Sequence, residues 1–323
     1  MNDCANGPLA KNWSFSMSKY GVIPLFLLSQ LERLRLDTDE PYKKNCGIRF
    51  AVSAKFFLFA LLIVVPLFSQ RVVTLAPAIT EIVYALGKGD QIVGNTRFCD
   101  FPAAAQKIPK VGGLTDFNLE ILVSLKPDLV ILYPELYEKV KFLKFRSTFV
   151  IVNHVSLSDL FSSIHAIAES LNVPNNGQKL IGTIQEQLNA VKLLAAGGKR
   201  VNTLLIAGRD RGDLRNIYIV GKKDYLNEIL EFAGGRNVYQ GKIAYPSVSI
   251  ESIVWFNPDW IIELSATFES IGETEVLNLW RRYRLFRAVQ GNHVYFVREN
   301  YWLRPGPRVG MIAESLYRLF HHD

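Results

Sequence analysis

The segment FNLEILVSLKPDLVIL, Phe117 to Leu132, recurs in the same chain as VSIESIVWFNPDWIIE, Val248 to Glu263. Glu120 matches Glu251, Val123 matches Val254, Pro127 matches Pro258, Asp128 matches Asp259 and Ile131 matches Ile262, each pair 131 positions apart. Each copy reads as a short capped helix, a Pro-Asp turn and a buried strand. A unit written twice at corresponding places demands two halves of similar plan.

The surrounding pattern agrees. RVVTLAP reads as a strand stopped by Pro77, AITEIVYALG as a helix closed by Gly87, and QIVG as a second strand. DLVIL and FVIVN are further apolar strands, and SLSDLFSSIHAIAESLN is an amphipathic helix for which Ser158 is the expected cap. A helix of about twenty residues then runs from Asn175 to Ala196 and stops at Gly197-Gly198. Beyond it the alternation restarts with RVNTLLIAG, KDYLNEILEFAGG, the second copy of the repeat, HVYFV, and a closing helix in PGPRVGMIAESLYRLF. Strands alternating with helices predict parallel or mostly parallel sheets. The expected organisation is an N-terminal extension over 1–70, an α/β lobe over 71–173, a connecting helix over 174–198 and a second α/β lobe over 199–323.

At 323 residues with 49% apolar composition, the chain can supply two cores, and it is not disordered. Residues 71–323 hold 29 basic against 25 acidic side chains, a net +4 that is too mild and too evenly spread for nucleic acid. FFLFALLIVVPLF, Phe56 to Phe68, follows Lys43, Lys44, Arg49 and Lys55 and is 13 residues long. A basic flank and an apolar run of that length predict an export signal and fall short of the ~20 residues of a spanning helix. Leu67 is large for the position two before Ser69, so an uncleaved anchor stays open; the functional start is expected downstream of Met1, at Val52. Of Cys4, Cys46 and Cys99, only Cys99 lies beyond the signal, so an exported chain has no internal disulfide. No cysteine follows the apolar run closely enough to carry a lipid, and Cys99 is expected to be a small buried hydrophobe.

No phosphate-binding Gly-Lys-Ser/Thr loop, GxGxxG, HExxH, paired CxxC or GxSxG is present. The five histidines are scattered, and His154, just after a strand, reads as a satisfied loop residue. The pattern is that of a protein that holds something. Glu120 and Glu251 fall in the first turn of their helices, where a carboxylate complements the helix dipole. Placed alike on two lobes, they also form a pair of pegs suited to a partner with two basic sockets. Aromatics collect in loops after strand ends: Phe98, Phe101, Tyr133, Tyr137, Tyr218, Tyr245, Tyr301 and Trp302. Arg97, Arg209, Arg211, Arg304 and Arg308 sit among them. Such loops line the crevice of open α/β sheets, and this composition suits a large, flat, partly anionic ligand.

The runs RVVTLAPAITEIVYALG, DFPAAAQKIPKVGG, NLEILVSLKPDLVI, VGKKDYLNEILEFAGGRNVY, YPSVSIESIVWFNPDWII and RPGPRV, in this order, resemble the helical-backbone substrate-binding proteins of ABC importers, with the cobalamin-binding members nearest. The likeness runs from about Arg71 to Phe320. It implies a periplasmic, non-enzymatic monomer: two Rossmann-like lobes joined by one long rigid helix, with the ligand in the cleft between them. By resemblance, Glu120 and Glu251 dock on arginines of the permease dimer in the membrane. Pro77, Phe98, Tyr133, Tyr218, Tyr245 and Trp302 match cobalamin contacts, and Arg304 stands with them as a ligand-facing cation. The sequence departs from the cobalamin binder at Tyr133, Tyr245 and Leu114, which stand where that protein has tryptophan. Tyrosine also ligates haem iron, so haem or a ferric siderophore is the alternative ligand, with Arg304 or Arg308 facing its carboxylates. An exported α/β enzyme using the same cleft is the third reading.

Overall fold

The computed structural model describes residues 69–113, 116–264 and 272–321. The apolar run with its basic flank, Val52, Cys4, Cys46 and Leu114 lie outside the described residues. The N-terminal lobe contains β1 (Val72–Thr74), α1 (Pro77–Ala85), β2 (Ile92–Asn95), α2 (Leu119–Ser124), β3 (Leu129–Leu132), α3 (Pro134–Val140), β4 (Thr148–Ile151) and α4 (Leu157–Ser170). Its four strands form a wholly parallel sheet in the order β2-β1-β3-β4. Central β1 and β3 are buried along their whole length, so they read as unbroken apolar runs rather than alternating ones.

α5 (Pro174–Leu194) carries the chain to the second lobe. Proline at its first turn needs no hydrogen-bonded N–H, and its 21 residues span about 32 Å at ~1.5 Å per residue. The second lobe contains β5 (Val201–Gly208), β6 (Ile217–Ile219), α6 (Tyr225–Phe232), β7 (Gly235–Asn237), β8 (Ser247–Val248), α7 (Ile250–Phe256), β9 (Trp260–Leu264), α8 (Glu273–Arg281), α9 (Arg287–Gln290), β10 (Val294–Val297) and α10 (Val309–His321). Its sheet runs β10-β9-β5-β6-β8, with β7 also on β5. β10, β9, β5 and β7 are parallel, whereas β6 and β8 add an antiparallel edge. The second sheet is therefore mixed, and the two lobes share a plan without being copies.

The repeat has a shared physical basis. Asn118 and Ser249 cap α2 and α7 by accepting from the N–H groups of Ile121 and Ser252, at 3.0 and 3.3 Å. After each helix the aspartate of the Pro-Asp turn ties the incoming strand to its neighbour. Asp128 donates its N–H to the Arg71 carbonyl and accepts the Arg71 N–H on Oδ2, both at 2.9 Å. Asp259 donates its N–H to the Asn202 carbonyl at 2.9 Å and accepts the Asn202 amide on Oδ2 at 3.1 Å. The same device thus fixes β3 beside β1 and β9 beside β5.

α4 starts earlier than the sequence suggests. Ser156, not Ser158, is its cap: Ser156 Oγ accepts the Asp159 N–H, and the Asp159 carboxylate accepts the Ser156 N–H. The reciprocal pair satisfies two backbone donors at once, which Ser158 inside the first turn has no way to do.

One apolar core runs through both lobes. It includes Ile79 of α1, Ile164 of α4, Leu230 of α6 and Ile312 of α10, with Ile184, Leu188 and Val191 of α5 between them. The i, i+4, i+7 spacing on α5 places its three apolar residues on one stripe facing that core. Burial of each such side chain stabilises by about 1.5–3 kcal/mol. The connecting helix is consequently part of the fold's interior on one face, and a hinge linker on none.

Candidate functional site

Parallel strands deliver their C-terminal ends to the loops where a ligand binds. Tyr133 follows β3 and starts α3, and His154 lies just beyond β4, the next strand. Their rings pack with centroids 4.0 Å apart. Burial, with the charges of Glu135 and Glu81, pushes the Tyr133 phenol up, so it is held protonated. Burial also lowers the His154 pKa, which favours neutral imidazole, and its Nδ1 is buried without a hydrogen-bond partner. Pro77 follows β1 and opens α1, where its fixed φ suits the first helical position.

The second lobe meets this group at the start of α6. Asp224 caps the helix by accepting the Leu226 N–H at 2.9 Å. Its other oxygen accepts the Tyr245 hydroxyl at 2.5 Å. Burial is the main cause that raises the Asp224 carboxyl to about 6, against the lowering effect of those two hydrogen bonds. Tyr245 keeps 42% exposure although its hydroxyl ends on an almost fully buried carboxylate, so the ring presents a face outward. Desolvation and the Asp224 charge raise its phenol pKa.

Tyr225, which sequence reasoning missed, bridges the lobes. Its N–H donates to the Val155 carbonyl at 2.8 Å and its hydroxyl to the Trp302 carbonyl at 2.7 Å. Nearby, Glu228 of α6 accepts the Leu157 N–H at the start of α4, 3.0 Å away. Trp302 itself is only 3% exposed and belongs to the shared core, so its ring packs inward and offers no stacking face. Tyr218 stands exposed on β6 opposite Ser247, and Phe98 is exposed with the Arg97 guanidinium 5.3 Å from its ring centre.

The arginines are largely committed to the protein. Arg304 pairs with both oxygens of Asp100, reaches the Phe98 carbonyl at 3.2 Å, and lies 3.6 Å from Glu81. Arg308 grips the buried Glu81 carboxylate with two bonds of 2.8 and 2.6 Å, and lies over the rings of Phe101 and Tyr301. Desolvation works against the ionised form of Asp100. Hydrogen bonds from Arg304 and Asn300, with the Arg304 charge, still hold its pKa below the usual range. These contacts join α1 and the loop after β2 to the segment before α10, more than 200 positions later in the chain. Arg209 is buried on Glu263, and Arg97 pairs with Asp116. The Asp224 cap could have been found in the run DYLNEIL, whereas no local signal marks Glu81 or Asp100.

Glu120 and Glu251 are both exposed, in the first turns of α2 and α7. The Ser249 hydroxyl is the main cause that lowers the Glu251 carboxyl, which keeps it ionised. Among the described residues no group of histidine, cysteine, aspartate or glutamate could hold a metal ion.

Residues 72–301 match the periplasmic binding protein family. The vitamin B12-binding protein of Vibrio parahaemolyticus is 28% identical over 246 residues, 74% of this chain and 85% of its own length. An uncharacterised ABC transporter substrate-binding lipoprotein of Bacillus subtilis is 30% identical over 260 residues, 77% of this chain and 80% of its own. Among solved structures, the periplasmic haem-binding protein of Vibrio cholerae superposes with a TM-score of 0.70 at 22% identity, over 78% of this chain and 99% of its own. That likeness is one of fold.

Proposed function

From the premise that this chain belongs to the periplasmic binding protein family, as the substrate-binding component of an ABC importer, we propose that its ligand is cobalamin or a related corrinoid. The observation that carries this reading is the state of the arginines. Arg304 and Arg308 are already neutralised by Asp100 and Glu81. Haem presents two carboxylates that call for cations, whereas the fringe of a corrin ring is mostly neutral amide. A cleft whose Arg304 and Arg308 are internally matched, and which offers the faces of Phe98, Tyr133, Tyr218 and Tyr245, suits the second. Pro77 and Trp302 shape the wall, and Arg304 holds the lobes around the ligand.

Haem is the second reading, favoured by the Tyr133–His154 pair. A phenolate ligand there would have to form against the burial that raises the Tyr133 pKa. Absorbance titration of the purified protein with cyanocobalamin, haemin and a ferric siderophore separates the readings. Saturable binding of cyanocobalamin at one per chain is expected. A shifted haem band, with cyanocobalamin spectroscopically silent and unable to compete, overturns the proposal. Glu120 and Glu251 dock the loaded protein on the permease, one carboxylate per lobe.

A further inference from the structure

Resting on that docking role, we propose that the apolar patches beside Glu120 and Glu251 form the adhesive part of the permease contact, with Trp255 as its main anchor. The two docking helices bury one apolar face and leave a second one open. At matching positions, Leu122 and Ile253 are fully buried, while Val123 and Val254 are each 41% exposed. The exposed face is thus part of what was duplicated.

Each lobe adds one exposed aromatic, from a different place in the chain. In the N-terminal lobe, Phe142 follows α3 and lines a groove of about 570 Å³ with Leu119 and Val123, at the edge of which lies Glu120. In the C-terminal lobe the aromatic is Trp255 on α7 itself, 83% exposed, where the matching residue of α2 is Ser124. A tryptophan left that open forgoes the gain of burying its apolar ring in the free protein, and such residues dominate the energy of contacts that bury them.

Charge chooses the occupant. Glu120 borders the N-terminal groove and Glu251 lies one turn before Trp255, so each patch carries a carboxylate that disfavours an anionic lipid surface. Arg200, Lys222 and Arg236 also stand beside Trp255, and the liposome arm of the test weighs their pull on lipid. A second copy of this chain, meeting patch to patch, would set glutamate against glutamate. A protein presenting two cationic sockets, each bordered by apolar side chains, satisfies both features, and its duplication matches the two subunits of a permease dimer. The carboxylates steer and register the encounter, and the apolar contacts slow dissociation.

The test measures binding of the purified protein to right-side-out membrane vesicles from the producing cells, and to liposomes of lipid extracted from those vesicles. The variants are Trp255→Ser, which installs the residue of the other lobe, Phe142→Ser, and the double variant Glu120→Ala with Glu251→Ala. Unchanged melting temperatures establish that the exposed substitutions leave the fold intact. Trp255→Ser is expected to weaken vesicle binding about 30-fold, as for an interface hot spot, with a smaller loss for Phe142→Ser and no binding to liposomes. Wild-type affinity in both aromatic variants, with binding lost in the double glutamate variant, overturns the apolar anchor and leaves the docking role standing. Equal binding by wild type and double glutamate variant, or none by wild type, removes the docking role and this inference together. Liposome binding equal to vesicle binding, or a wild-type dimer in solution that Trp255→Ser dissolves, assigns the patch to lipid or to self-association and overturns the proposal.

Discussion

Two buried glutamates set the lobes apart. Glu263, on β9, is satisfied entirely within the C-terminal lobe, by Arg209 at 2.9 Å and the Trp280 indole at 2.7 Å. Glu81, on α1, is as deeply buried, but its partners Arg308 and Arg304 come from the other end of the chain. A buried carboxylate left without its cation is strongly destabilising, whichever lobe holds it. The difference teaches where each buried carboxylate is satisfied: Glu263 within its own lobe, and Glu81 only across the lobe boundary, where Arg304 and Arg308 depend on the first lobe in turn.

The largest effect expected is on the self-contained pair. Glu263→Ala strands Arg209 in the interior and should lower stability by about 3–5 kcal/mol in denaturant melts. Glu81→Ala frees two guanidinium groups that can still turn to Asp100 and to water, so a loss of about 1–3 kcal/mol is expected. Its signature is faster hydrogen exchange both in α1 and around residues 304–308. If Glu81→Ala disturbs the N-terminal lobe alone, the idea of a cross-lobe clasp is wrong.

A third, smaller effect is a pH dependence. The Asp224 carboxyl is raised to about 6 in the folded protein, chiefly by burial. The folded state therefore holds this proton more tightly than the unfolded one. Its contribution to stability is complete below the ordinary carboxylate range and is lost as pH rises through about 6. Asp224→Asn keeps an acceptor for Tyr245 and should flatten the stability profile between about pH 4 and 6. An unchanged slope would falsify the burial argument. The smallest effect is expected at the surface pegs: Glu120→Ala and Glu251→Ala should leave the melting temperature and the cyanocobalamin titration alike unaltered.

Much of this architecture could be read before the fold was seen. Periodicity located β1, β3, β5, β9 and the long α5, because apolar runs and caps are local signals. The repeat correctly announced two lobes. What escaped was non-local or short. β6 and β8 have three and two residues, too few for any alternation to register, so the antiparallel edge of a mostly parallel sheet went unmarked. Ser156 escaped as the cap of α4 because a cap is chosen by a reciprocal bond, here with Asp159, which spacing does not reveal. Arg304 and Arg308 could be seen as cations near a cleft, but their carboxylates lie more than 200 residues away. Tyr225 was hidden inside an ordinary amphipathic helix, where nothing marks a backbone N–H that bonds to the other lobe or a hydroxyl that ends on the Trp302 carbonyl.

The placement of α5 bears on how such a chain can be divided. Its apolar stripe completes an interior to which both lobes contribute. Cutting the gene on either side of the helix would therefore not yield two smaller proteins. Each product would carry an open wound of leucine and isoleucine, and co-expression rather than separate purification is the way to recover the pair.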